Sequence, residues 1–191
     1  MKNEEDLVKK ALKFAAQKHK NQTFTDGSGM PYIEHCKRVY WNLKKYASGE
    51  FEKKDVLFAT ALLHDTIEDT DTTFEELVQN FGEEVARNVK ALSKQPSFFP
   101  HFLKMEVYLH DIASTSKEAM MVKLADRITN ITHIHPLWDY EKVVEYLDDS
   151  KMIYHYLGSA NKGLKKELKK RIENYQVEIN EKFQTNEKVY L

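Results

Sequence analysis

Residues 55–69 read DVLFATALLHDTIED. The apolar side chains of this stretch wrap most of the circumference of a helical projection, which is the pattern of a helix buried in the middle of a bundle. At the end of that run stand His64 and Asp65, adjacent in the chain, and one turn later Glu68 and Asp69. An unpaired charge in such a place costs several kcal/mol, so these groups need a cation or one another.

Outward from this segment the local signals are helical. The chain has 6 glycines and 4 prolines among 191 residues, and no sustained apolar/polar alternation bounded by turn dipeptides. Asn3 is a good N-cap for a first helix that carries Leu7, Ala11, Phe14 and Ala15 on one stripe and fades near His19. Residues 20–31, KNQTFTDGSGMP, read as a loop feeding a helix from Tyr32 to about Tyr46, with His35 in its first turn. Residues 55–69 read as one helix. Thr73 and Glu76 form a capping box for FEELVQNF, which stops at Gly82, and another helix follows to about Ser93. Beyond the irregular KQPSFFP, helical spacing marks 101–115, 117–134 and 137–157, and Gly158 and Gly163 interrupt the chain before a charged closing helix. The expected fold is an all-α, single-domain helical bundle over 1–191, with a core over about 5–160 and a charged helix over about 161–186.

Charge narrows the function classes. With 29 basic and 30 acidic residues the formal net charge is -1, so no general field attracts nucleic acid or anionic membrane. An anionic ligand has to be held locally. Cys36 is the single cysteine, which excludes an internal disulfide, and no apolar run approaches the ~20 residues that span a bilayer. The N-terminus lacks the apolar stretch of a secretion signal. The expected setting is the cytoplasm and the expected partner a small molecule, with neither nucleic acid nor membrane; the oligomeric state stays open.

Asp126 in KLADRITN supplies a further acid on an apolar-faced helix, and His35 a further imidazole. Two nitrogen and two oxygen donors suit Mn²⁺, Fe²⁺ or Zn²⁺ better than Ca²⁺. Singly, each has an ordinary explanation. His35 alone would be a structural histidine, as His19, His101, His110 and His155 are read; His133 and His135 fit a solvated helix end, and Glu68-Asp69 an exposed one. Their joint occurrence is what points to a metal. Glu68, four residues after His64, can share its helix face. Lys123 and Arg127, beside Asp126, are candidates for neutralising phosphate.

The order His35, then His64-Asp65 in LLHDTIEDT, then Asp126 in KLADRITN resembles the HD-domain phosphohydrolases. PYIEH, ALLHDTIEDTDTT, FGEEVARNVKALSK and VKLADRITN are similar to the hydrolase domain of RelA/SpoT-type enzymes, particularly the stand-alone small alarmone hydrolases, over about residues 5–160. The resemblance implies that His35, His64, Asp65 and Asp126 hold one Mn²⁺, that Glu68 and Asp69 orient or deprotonate the attacking water, and that Asn130 contacts the nucleotide. It implies removal of the 3′-pyrophosphate of guanosine tetra- or pentaphosphate, giving GDP or GTP and pyrophosphate.

Two stretches depart from the family pattern. Where the alarmone enzymes carry a Gln, a basic pair and a single Gly-x-Pro, residues 22–31 read QTFTDGSGMP, with Phe24 and Thr25 in place of the basic pair. After Asn130, Ile131-Thr132-His133 replaces Met-Arg-Thr. The catalytic set is complete and the recognition set altered. A second reading therefore keeps the chemistry but takes another nucleotide or a phosphorylated dinucleotide. A third, a module that senses a nucleotide without cleaving it, is disfavoured by the intact ligand set.

Overall fold

In the computed structural model the described residues are 4–24, 28–49, 51–94 and 98–184. The expected cap Asn3, Thr25 and part of KQPSFFP lie outside them. The helices are α1 (Glu4–Lys18), α2 (Ile33–Tyr46), α3 (Lys54–Leu63), α4 (Thr66–Asp69), α5 (Phe74–Phe81), α6 (Glu83–Leu92), α7 (His101–Thr115), α8 (Lys117–Asn130), α9 (Tyr140–Leu157) and α10 (Lys162–Gln184). Among the described residues there is no strand, only an isolated antiparallel bridge between Thr23 and Pro31 that closes the loop before α2. No described helix is long and apolar enough to cross a membrane.

The all-round hydrophobicity of α3 follows from its position. Ala59, Leu62 and Leu63 enter a cluster with Ala11 and Ala15 of α1, Leu77 and Phe81 of α5 and Val85 and Val89 of α6. Leu57, Phe58 and Ala61 enter a second, larger cluster formed with α2 and α7 to α10. The helix is thus the partition between two half-cores. Each fully buried leucine on it contributes roughly 1.5–3 kcal/mol by transfer from water. A buried polar chain ties the same helices together: the Ser116 hydroxyl donates to Asn88 Oδ1 at 2.7 Å and caps α8 by accepting the Ala119 N–H at 2.9 Å.

The capping box forms as expected, with Thr73 Oγ1 accepting the Glu76 N–H at 3.1 Å, and Gly82 ends α5 at φ +86°. Three boundaries differ from expectation. Residues 55–69 do not form one helix: α3 ends at Leu63 and a short α4 starts at Thr66, because the Thr66 hydroxyl takes the Leu63 carbonyl at 2.7 Å. α8 stops at Asn130 and α9 begins only at Tyr140, where Asp139 Oδ1 accepts the Lys142 N–H at 2.8 Å. Gly163 does not interrupt the chain but lies in the first turn of α10.

That turn is fixed by Asn161, whose Oδ1 accepts the Leu164 N–H at 3.1 Å while its Nδ2 donates to the Ser48 carbonyl at 2.8 Å. α10 is thereby joined to the end of α2 at so close an approach that a Cβ on Gly163 would lie 2.0 Å from the Tyr46 carbonyl oxygen. Gly163→Ala is expected to lower stability by about 1–3 kcal/mol in urea unfolding, despite alanine's better helix propensity. An unchanged midpoint would show that the α2–α10 contact gives way without cost.

Candidate metal centre

The end of α3, the start of α2 and the middle of α8 bring four side chains to one point. His35 Nε2 lies 3.3 Å from His64 Nε2, 3.5 Å from Asp65 Oδ2 and 3.3 Å from Asp126 Oδ1. His64 Nε2 lies 2.9 Å from Asp65 Oδ2 and 3.8 Å from Asp126 Oδ1. Donors around a tetrahedral or octahedral ion with bonds of about 2.1 Å stand about 3.0–3.4 Å apart, so the donor set has the dimensions of a coordination shell. His35, His64 and Asp126 are all buried. The end of α3 allows this arrangement: with helical hydrogen bonding broken after Leu63, the adjacent residues His64 and Asp65 both reach the same point.

The surrounding groups orient the donors. His64 Nδ1 lies 2.9 Å from the Ala61 carbonyl, which makes it the protonated nitrogen and leaves Nε2 as the donor atom towards a metal. The Tyr32 hydroxyl donates to Asp65 Oδ2 at 2.6 Å; burial, followed by the charge of Asp65, pushes its pKa far up, so it stays a donor. Asp126 receives Lys123 Nζ on Oδ2 at 2.9 Å and Asn130 Nδ2 on Oδ1 at 2.7 Å. Burial works against both aspartates. The charge and hydrogen bond of His64 still hold Asp65 well below the usual carboxylate range, and Lys123 with the two histidines does the same for Asp126. Both are therefore anionic, as ligands must be. Burial likewise opposes a charge on His64, but Asp65 and Asp126 push its pKa up to about 10.

A second triple, Cys36, His64 and Asp65, also lies within 4.8 Å. Burial pushes the Cys36 thiol well above its ordinary value, so the nitrogen and oxygen set is the better fit for a divalent metal.

The remaining expected residues divide. Glu68 and Asp69 sit at the mouth on α4, where burial against neighbouring protein raises both carboxyls, and Glu68 Oε2 accepts the Lys94 N–H at 2.8 Å. Asn130 borders the site through Asp126. Lys123 is committed to Asp126 and stands 5.4 Å from the Tyr108 ring centroid, a buried counter-charge and not a free surface cation. Arg127 does not take the phosphate position expected of it. It is buried against α9, with Nη1 3.3 Å from Ser150 Oγ and its guanidinium 4.0 Å from the Tyr146 ring centroid. Sequence reasoning missed Tyr32, although its place three residues before His35 on the same helix face was a usable signal. His19, read as structural, supports it: its ring lies 5.0 Å from that of Tyr32, and its Nδ1 lies 2.6 Å from Gln22 Oε1. Gln22 in turn donates to the Asp69 carbonyl at 2.5 Å.

His35, His64 and Asp126, with Asp65 beside the two histidines, form on an all-α scaffold a cluster that could hold a metal, as in the metal-dependent HD hydrolases, and residues 32–131 match the HD domain family. The chain belongs to the HD domain family. It is 35% identical over 167 residues, 85% of this chain and 90% of the relative, to guanosine-3′,5′-bis(diphosphate) 3′-pyrophosphohydrolase MESH1 of Danio rerio. To the MESH1 protein of Homo sapiens it is 31% identical over 173 residues, 88% of this chain and 94% of that protein. A guanosine-3′,5′-bis(diphosphate) 3′-pyrophosphohydrolase of Aquifex aeolicus (strain VF5) is 33% identical over 159 residues, 79% of this chain but 21% of that longer protein. Among solved structures, a metazoan ortholog of SpoT that hydrolyses ppGpp superposes with a TM-score of 0.75 at 27% identity, covering 88% of this chain and 94% of the other.

Two outcomes check the centre. Tyr32→Phe is expected to weaken metal binding by about 10- to 100-fold with the fold intact, since Asp65 loses its orienting donor; equal affinity by calorimetry would remove Tyr32 from that role. Below about pH 10 the metal-free site keeps a proton on His64 that a metal has to displace. Metal affinity is therefore expected to rise between pH 6 and 9, by up to about tenfold per unit, and a flat profile would contradict this.

Proposed function

We propose that this chain is a metal-dependent enzyme that hydrolyses the 3′-pyrophosphate of guanosine 3′,5′-bis(diphosphate), and of the corresponding pentaphosphate, to GDP or GTP and pyrophosphate. The observation that carries the reaction class is the closeness of His35, His64 and Asp126, with Asp65 within 3.5 Å of both histidines and Glu68 four residues beyond His64 on α4. The likeness to relatives named for this activity, over nearly their whole length, supports the substrate. The proposed metal is one Mn²⁺, the proposed unit a single HD-type domain over 1–191, and the proposed setting the reducing cytoplasm, which suits a lone buried Cys36. Bound there, the ion lowers the pKa of a water and offsets charge on the phosphoryl oxygens.

The chain's own residues do the rest. Tyr32, Lys123 and Asn130 fix the two aspartates. Glu68, whose carboxyl is raised by desolvation and accepts the Lys94 N–H, is proposed to take the proton from the attacking water, and Asp69 beside it to orient that water. Asn130, at the rim of the centre, is proposed to contact the nucleotide as well. Hydrolysis then joins the water oxygen to the phosphorus next to O3′, the P–O3′ bond breaks, and O3′ takes a proton to leave as the hydroxyl of GDP or GTP while pyrophosphate departs.

A steady-state assay of the Mn²⁺-loaded protein with guanosine 3′,5′-bis(diphosphate) is expected to release GDP and pyrophosphate in equal amounts. Asp65→Ala or Asp126→Ala should abolish both turnover and bound metal. Glu68→Gln should keep metal content near normal while lowering kcat by about 100-fold or more, as for loss of a general base. Loss of metal in Glu68→Gln would make Glu68 a ligand. A metal-loaded protein silent on this substrate but active on another nucleotide would move the reading to that second class, which the altered residues 22–31 keep open.

A further inference from the structure

The rim of the metal centre carries a cation that the chemistry above does not use. Arg38 lies one turn after His35 on α2, and Asn42 one turn further. Asn42 Nδ2 donates at 2.8 Å to Thr129 Oγ1, beside Asn130 on α8. His35, Arg38 and Asn42, spaced three and four residues apart, therefore share the edge of α2 that follows α8 from Asp126 towards Asn130.

From the other side the closed loop meets Arg38. Phe24 and Met30 are held together by the Phe24 N–H donating to the Met30 carbonyl at 2.9 Å. The Arg38 guanidinium stands 5.3 Å from the Phe24 ring centroid, and its Nη2 lies 3.2 Å from Met30 Sδ. The Phe24 ring is 6.2 Å from that of Tyr32, whose hydroxyl holds Asp65. One aromatic step thus links Arg38 to a metal ligand.

Its chemistry suits an anion. Arg38 is exposed and has no carboxylate partner among the described residues, while the two cations deeper in are committed, Lys123 to Asp126 and Arg127 to α9. Residues 22–31 contain no Lys or Arg, so beside this loop it is Arg38 of α2 that supplies a cation. A planar guanidinium steadied on an aromatic face is preorganised to meet two phosphate oxygens at once. With the 3′-pyrophosphate at the metal centre, the substrate's other charged group is its 5′-diphosphate.

We propose that Arg38, braced on Phe24 and Met30, holds the 5′-diphosphate of the nucleotide substrate and is a specificity-determining residue of this enzyme. The proposal rests on the nucleotide reading above, and its test reads binding separately from turnover. GDP is titrated calorimetrically into Mn²⁺-loaded wild type, Arg38→Gln and Arg38→Lys, alongside KM and kcat for guanosine 3′,5′-bis(diphosphate). Arg38→Gln is expected to weaken GDP about tenfold or more and to raise KM in parallel, with kcat within about twofold and metal content unchanged; Arg38→Lys should recover part of the affinity. GDP affinity that depends on Arg38 in a protein that cleaves nothing would sustain the binding role while the hydrolase reading fails. Equal GDP affinity in wild type and Arg38→Gln, or loss of fold or metal in Arg38→Gln, would overturn the proposal.

Discussion

Two aspartates and two histidines sit within a few ångströms of one another in the interior of a helical protein, and the rest of the structure accommodates that concentration of charge. Without compensation the two carboxylates would repel and each would lose its hydration at a cost of several kcal/mol. The compensation visible in the chain is specific to each ligand. A tyrosine hydroxyl holds Asp65, a buried ammonium and an amide hold Asp126, and a backbone carbonyl fixes the tautomer of His64. A divalent cation bound there would supply the remaining positive charge.

The fold positions these groups through α3. Because this helix divides two apolar clusters, its last turn is held on all sides, and the residues just beyond it cannot drift. The interruption between α3 and α4 then has a functional consequence. It brings consecutive residues to one point and leaves Glu68 and Asp69 exposed on α4, the two carboxyls proposed to act on the reacting water. Rigid placement inside and polar, partly exposed groups at the rim are what differential stabilisation of a transition state needs.

Much of this was legible in the sequence. The apolar residues of 55–69 marked a central helix, the Thr73–Glu76 box and Gly82 marked α5, and His35, His64, Asp65 and Asp126, singled out by their joint occurrence, lie close together. What could not be read depends on tertiary contacts. The break after Leu63 arises from one threonine hydroxyl competing for a helical carbonyl, and His64 and Asp65 themselves carry no helix-breaking signal. Gly163 looked like an interruption, yet it is there because the α2 backbone passes too close for a side chain. Arg127 and Lys123 look alike beside Asp126 in sequence; only packing shows that one is directed to Tyr146 and Ser150 and the other to a metal ligand. The surroundings of Arg38 were the least legible part, since its contacts with Phe24 and Met30 arise only in the folded chain.

Everything proposed for this centre depends on whether one ion binds where those four side chains meet. Anomalous diffraction from a crystal grown with Mn²⁺, recorded at the manganese edge, tests this directly. A single strong peak within bonding distance of His35 Nε2, His64 Nε2, Asp65 and Asp126 is expected; a peak coordinated elsewhere, or no peak there with the protein fully folded, would contradict a metal centre at these residues.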